Sequence, residues 1–582
     1  MKHRFVVLAP FVALIMTTPE TARAEAPCDC DHVIELSGEV VSGADMGVKP
    51  GDSVCVRGGD RPFLRLQKFV GEENAPIEVR NCEGQVNIDN DDKGYGLTVD
   101  ESRYLRVTGA GDPDIPYGFK VRASRTGPDY SAFGVAVGGL SSDVEIDHME
   151  VYEAGFAGVV MKTESRCDGS ANLGNFVMYN SRLHHMYIHD VKGEGIYFGS
   201  TGYGGRKFTC DGMEVTLYPH EHHGAWIHDN IIENTGWDGA QIGVTPKDCH
   251  FYRNTIKNVG TEGELYQQQG LQVGGASSCK IWGNTLLDGP TNGFFIFGAG
   301  HTQLYNNVVA NFADTGIYIN DQNLDMGSKI EVAHNTVISS GDWGIAVFGA
   351  ALGPGFLRNN AVAGAGMAEI AIGGEVPAFI DEGNQTADDP DGFGFVDAAA
   401  RDFHLTENSP LRNVGFPVPE YEIVDDHDGV PRDDGAPDVG AYEFTDTGTT
   451  SDTTTTDGTS TDGTATDGTS EGPTSGPTSG PTSGPSSDSG DDTGVETHGS
   501  TGGNSDSESG SVSSSDGATS SVTASAGTEG GSTDADAATA GESETDASGC
   551  ACSSDANANA TAAWPMLLVL VGFRRRKQSA VA

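Results

Sequence analysis

Positive charge is what this 582-residue sequence has least of: 34 Lys and Arg stand against 84 Asp and Glu, a formal net charge of −50. So acidic a chain repels phosphate backbones and anionic headgroups, which argues against nucleic acid and against nonspecific adhesion to anionic membranes. Part of the imbalance is local, because residues 446–548 hold 19 acids and no Lys or Arg. The remainder is acidic too, although a groove that is locally basic would still accept an anionic sugar polymer. Long apolar runs are also missing. The two candidates, residues 5–16 and 562–573, fall short of the about 20 residues that a membrane-spanning helix needs.

What the chain has instead is a repeat. Asn230, Asn254, Asn284, Asn307, Asn335 and Asn360 recur every 23 to 30 residues, with Met149 and Met186 in the same slot upstream. Three residues before each anchor stand Ile146, Leu183, Ile227, Phe251, Ile281, Leu304, Val332 and Leu357. Two residues after stand Val151, Ile188, Ile232, Ile256, Leu286, Val309, Val337 and Val362, every one apolar. Each repeat then carries a Gly-led tetrapeptide, such as Gly195-Ile196-Tyr197-Phe198 or Gly316-Ile317-Tyr318-Ile319, with weaker copies at Gly158, Gly134, Gly118 and Gly96. So short a period leaves no room for a helix in each coil. Three short strands and three turns per repeat predict an all-β solenoid, a parallel β-helix whose coils stack about 4.8 Å apart. The Asn column is then structural: Asn tolerates a left-handed turn, and stacked amides bond from coil to coil. A second column, Asp190, Asn234, Asn258, Asp288 and Asn311, plays the same part.

Cysteine spacing agrees with stacking. Cys249 and Cys279 each lie five residues before an anchor, which predicts a disulfide between successive coils. Cys167–Cys210 is expected to bridge two insertions, while the pairing of Cys28, Cys30, Cys55 and Cys82 is not legible. An even set of body cysteines implies an oxidising compartment. The Cys28/Cys30 pair has no matching second pair to make it a metal site.

Both ends of the chain fit export. Lys2 and Arg4, the apolar run and Ala22-Arg23-Ala24 predict a signal peptide over 1–24. Residues 33–445 form the solenoid domain, and 446–548 form a disordered, low-complexity stalk rich in Ser, Thr, Gly and Asp. In the tail, 549–582, Gly549-Cys550-Ala551-Cys552 precedes the short apolar run and Arg574-Arg575-Arg576-Lys577. That order resembles the myxobacterial-type C-terminal sorting tails. The resemblance implies that sorting machinery removes the hydrophobic–basic end and anchors the protein at the cell surface through Cys550 or Cys552, its one link to a membrane.

Three stretches of the body carry a second resemblance. They are Pro50-Gly51-Asp52-Ser53-Val54-Cys55-Val56 with 75–79, the coil pieces Glu194-Gly195-Ile196-Tyr197 and Gly236-Trp237-Asp238-Gly239, and Asp426-His427-Asp428-Gly429-Val430-Pro431-Arg432 with Asp438-Val439-Gly440-Ala441-Tyr442-Glu443. Together they resemble the pectate-lyase-like superfamily, which implies a right-handed parallel β-helix. It fixes function only loosely, because lyases, hydrolases, epimerases and non-enzymatic surface proteins share that fold. The Asp-x-Asp-Gly portion makes Ca²⁺ the one candidate cofactor, but the rest of an EF-hand is absent and turn capping is the simpler reading.

Chemistry must come from side chains that point outward. By parity one exposed column is Tyr197, Gln241, Gln272, Phe295 and Tyr318; the other is Asp147, His184, His228, Tyr252, Trp282 and Tyr305. Rings interleaved with amides suit a saccharide, and equally suit a sheet face that stabilises itself. In the superfamily the cleft runs along the Gly-led strands. Here the neighbouring turns supply Lys192, Glu194 and Asp238, and insertion 199–224 supplies Arg206, Lys207, His220, His222 and His223. A lyase needs a cation and a base: Lys192, Arg206 or Lys207 with one of those histidines. A hydrolase needs two carboxylates, and Glu194 and Asp238 qualify. As a metal site the 220–223 histidines are a weaker pattern than His184 with His228 on neighbouring coils. The reading is a polysaccharide-handling surface protein, either a lyase or hydrolase or a non-catalytic adhesin or glycan-binding module.

Overall fold

The computed structural model describes residues 27–445, apart from 38, 128–130, 298–299, 321–327, 350–353, 374–378, 419–422 and 434. The expected signal peptide, the stalk and the tail with Cys550 and Cys552 lie outside the described residues.

The repeat folds as the apolar spacing requires. Each coil has three legs: a Gly-led strand, a strand before the Asn anchor and a strand after it. The Gly-led strands build a 12-stranded parallel sheet from Val40–Ser42 to Ala368–Gly373, and the other two legs build a 23-stranded parallel sheet. Inward side chains form one continuous core in which Ile227, Phe251, Ile281, Leu304, Val332 and Leu357 are fully buried. Among the described residues the helical pieces are one turn at Gly43–Met46 and a 3-10 turn at Pro390–Phe393. Among the described strands, antiparallel pairs are Arg206–Cys210 with Met213–Leu217 and Phe395–Asp397 with Asp402–Leu405, beside isolated antiparallel bridges such as Asn172 with Pro219.

The anchor column is a hydrogen-bonded ladder. Each Asn donates its side-chain amide to the next anchor's Oδ1, at 2.9 Å from Asn230 to Asn254 and 2.9 Å from Asn284 to Asn307, and the ladder runs on to Asn384. The same amide donates to a carbonyl of the coil behind, as from Asn307 to Ile281. The left-handed residue is not the anchor, as expected, but the one before it: His185, Asp229, Arg253, Asn306, His334 and Asn359 have φ between 50 and 55°. The anchor's side chain must turn inward to reach its neighbours, and the preceding residue takes the bend. Asp190, Asn234, Asn258, Asp288 and Asn311 do occupy left-handed turns, and Asn258 donates to Asn234 and Asn234 to Asp190. Gly118 is a correction. It precedes Phe119–Ala123, which pairs with Met149–Tyr152 in the larger sheet and not with the Gly-led legs.

Cys249 and Cys279 are direct register partners, bridged with Cα atoms 4.5 Å apart. Cys167–Cys210 is also bridged, and Cys28 pairs with Cys82 and Cys30 with Cys55. The C-terminal segment packs on the flank of the late coils. Asp426 accepts backbone amides from Asp428 and Val430 on one oxygen and from Glu443 on the other, which is turn capping.

Candidate functional site

The two outward columns are in register as parity requires. On the Gly-led sheet Tyr197, Gln241, Gln272, Phe295 and Tyr318 are successive partners. They are not uniformly exposed: Tyr197 is 5% accessible, Gln241 2% and Gln272 5%, while Phe295 and Tyr318 are half-buried. The reason lies in the floor beside them. Gly199 pairs with Gly243, and a Cβ on Gly243 would meet the Ser200 carbonyl, as one on Gly275 would meet the Tyr203 ring. Three bare glycines let residues 200–206 lie down over the column as a strap. The start of the insertion thus covers this face.

Beneath the strap polar and charged side chains gather around Tyr197. Tyr197 Oη is 3.2 Å from Thr201 Oγ1 and accepts from Arg206 Nη2 at 3.4 Å, and the Lys162 ammonium stands 4.0 Å from the Tyr197 ring centroid. Lys162 is ion-paired with Glu164 at 2.6 Å. Glu194 and Asp238 sit at equivalent positions on adjacent coils, 2% and 0% accessible. Asp238 accepts from the Gln269 amide at 2.6 Å and approaches the Gln241 side chain at 3.5 Å, while Glu194 Oε2 has no hydrogen-bond partner. Burial pushes the Glu194 carboxyl up to about 7. Burial, with Glu194 alongside, pushes Asp238 well above the usual carboxylate range. Two carboxyls enclosed together hold protons that exposed ones would lose.

Other expected participants are elsewhere. Lys192 is exposed and paired with Glu262 at 2.5 Å; Lys207 is exposed and paired with Glu214 on the hairpin. His220 accepts from the Thr163 amide, and His222 is buried against Phe198, so neither presents a base to this cluster. His223 bonds Glu221 on the other sheet. His184, His228 and Trp282 belong to the second column, which is a stack of rings: centroids are 4.7 Å apart from His184 to His228, 4.6 Å to Tyr252 and 4.2 Å to Trp282, with planes within 13°. Rings one coil apart and parallel spend their faces on one another, so a sugar meets edges here. Glu145, Asp147 and His184 converge within 4.8 Å as a metal-ligand set would, yet Arg106 Nε already lies 2.9 Å from Glu145 and 2.8 Å from Asp147. Lys162 and Glu164 were not anticipated. Lys162 lies two residues past the outward Val160, so parity alone could have placed it on this face.

The description "Right handed beta helix region" matches residues 188–361, in agreement with the coils seen here: the fold is a right-handed parallel β-helix. No curated protein matches the sequence. Similar solved structures include pectate lyase Pel9A (15% identity, TM-score 0.42, covering 71% of this chain and 96% of that one). Others are a lacto-N-biosidase from Eubacterium ramulus (13%, 0.35, 58% and 62%) and an alginate lyase from Paenibacillus sp. (15%, 0.29, 60% and 99%). At such scores none of them speaks to what this chain does.

Proposed function

We propose that this is an exported protein that handles polysaccharide at the Tyr197 cluster under the strap, acting as a lyase on a uronate-containing polymer. The observation that carries the reading is the meeting of two cations at Tyr197, the Lys162 ammonium over its ring and Arg206 on its hydroxyl, with Lys162 also close enough to act on the Glu194 carboxyl, which burial raises to about 7. A lyase must neutralise the sugar carboxylate, remove the proton on the adjacent carbon and protonate the departing glycosidic oxygen. Arg206 and Lys162 supply the charge, Tyr197 in its phenolate form is the base and ends as the phenol, and Glu194 is the acid. The adjacent C–H bond breaks toward Tyr197, a C=C bond forms, and the C–O bond breaks as its oxygen takes the Glu194 proton. Residues 200–206 swing aside to admit the chain, and Gln241 and Gln272 bind hydroxyls along the floor. Incubating the protein with a panel of uronate polymers tests this by the ultraviolet absorbance of the new conjugated double bond. It should rise with the parent and vanish with Tyr197→Phe and Glu194→Gln. A parent that is inactive on every polymer sinks it.

The second reading is a non-catalytic adhesin or glycan-binding module. It is favoured by the near-complete enclosure of Glu194 and Tyr197 and by the self-stacked rings of the other face. Retention on a polymer column with no product, unaffected by Glu194→Gln, is its signature. Export through residues 1–24, display on the 446–548 stalk and anchoring at Cys550 or Cys552 complete the proposal. The four disulfides suit that compartment. Mass analysis of the mature termini checks each.

A further inference from the structure

Where the larger sheet bends at the anchors, three successive coils contribute Asp147-His148, His184-His185 and His228-Asp229, with Asp147, His184 and His228 in direct register. His184 stacks on His228, and His185 stacks on His148 with centroids 4.8 Å apart and planes 3° apart. Three of the four imidazoles are each held by a carboxylate. His148 Nδ1 lies 2.5 Å from Asp147, His184 Nε2 lies 3.3 Å from Glu145, and His228 Nδ1 lies 2.6 Å from Asp229. The nitrogen that faces a carboxylate carries the proton, which leaves the opposite nitrogen bare, as behind a metal ligand. For His184 the bare atom is Nδ1, and it faces His185 Nδ1 at 2.8 Å.

His185 lies at the exposed lip of this cluster. Glu145, Asp147 and Asp229 face two guanidiniums, Arg106 and Arg253, so the surroundings keep one negative charge in excess. Two nitrogens 2.8 Å apart need open only slightly to reach the roughly 3.3 Å between donors placed about 2.0–2.1 Å from a tetrahedral zinc.

We propose that Nδ1 of His184 and Nδ1 of His185 chelate one divalent transition-metal ion of the Zn²⁺, Ni²⁺ or Cu²⁺ class, in place of the proton the two nitrogens share. That proton leaves to solvent as the ion enters. Imidazole donors select these ions over Ca²⁺ and Mg²⁺. The site is separate from the Tyr197 cluster and does not depend on the lyase reading.

Calorimetric titration of the full chain with ZnCl₂, in excess Ca²⁺ and with free thiols alkylated, tests it. His185→Asn keeps a residue that tolerates the left-handed backbone, and His184→Phe keeps a ring against His228, so both variants retain the fold. One Zn²⁺ should bind the parent, with affinity reduced at least about tenfold in either variant and unchanged in His301→Gln. Cu²⁺ bound to the parent should show nitrogen couplings in its electron paramagnetic resonance spectrum, and the double variant should lose them. Parent and double variant binding alike, or no binding by the parent, overturns the proposal.

Discussion

Asn307 shows how much one side chain does in this molecule. It is fully buried; its amide donates to Asn335 and to the Ile281 carbonyl, and its Oδ1 accepts from both the backbone and the side chain of Asn284. Asn307→Ala strands donors and acceptors on two neighbouring coils, each costing about 1–3 kcal/mol when left buried. We expect a loss on the order of 3 kcal/mol in urea unfolding; a loss below about 1 kcal/mol would mean that water replaces the amide. Met186 holds the same slot because it stands at the ladder's end, where only its backbone amide is needed, donating to Asn230. Glu194 and Asp238 act in the opposite direction. Their folded pKa values lie above the unfolded ones, so the folded state binds more protons and stability falls as pH rises from about 4.5 toward 7. Replacing both, as Glu194→Gln with Asp238→Asn, should flatten the melting temperature across that window, and an unchanged slope would show that the pair is ionised when folded.

At the scale of elements, the strap is the piece that covers Tyr197 and its neighbours. Residues 200–206 lead into the hairpin Arg206–Cys210 and Met213–Leu217, which is tied to the neighbouring insertion by Cys167–Cys210. Few core contacts hold the hairpin, so the tie and the glycine floor fix its place. Cys167→Ser with Cys210→Ser should speed amide exchange over 200–217 and leave the coils at 240–290 protected. Equal slowing or quickening in both would show that the strap is part of the folding core. The coils and the bridge between Cys249 and Cys279 were legible in sequence because stacking repeats one local pattern, and an apolar residue every coil can face only inward. The strap was not. That glycines at 199, 243 and 275 are bare to let another segment in becomes visible only once the coils are aligned, so Tyr197, Gln241 and Gln272 read as exposed. That Glu194 and Asp238 lie side by side was legible from register, whereas the place of Lys162 was hidden by its single appearance.

For the whole molecule, the problem of a solenoid is its end, where the last coil has no successor to cover its core and its ladder. Here the returning chain lies along the flank of the late coils, and the end itself stays open, with Ile372 39% and Ile380 44% accessible. Phe403, Leu405, Leu411, Val439 and Tyr442 pack as a second core against Ala361 and Ala363 of the late coils. At its centre Arg432 is buried with Glu443 as its ion partner, and it donates to the Asp438 and Gly440 carbonyls and to Asn306 Oδ1. His427 reaches the Asn306 carbonyl, and His334 lies 3.1 Å from the Asp438 carbonyl. The returning segment is therefore pinned to the Asn306 coil by Arg432 and His427, and to the next coil by His334. Arg432→Met keeps the bulk but leaves Glu443 without its partner in a site that already pushes its carboxyl up to about 7. Breaking a buried pair in this way costs about 3–5 kcal/mol. Because each coil leans only on its neighbours, the loss should be felt locally first. In hydrogen exchange, coils from 330 to 390 should open well before those from 225 to 290 in the variant, while the parent opens both together. Double replacement by Arg432→Met with Glu443→Gln should recover part of the stability, because no charge is then left unpaired. A variant that melts uniformly along its length would mean that the returning segment governs the whole stack and not its late coils.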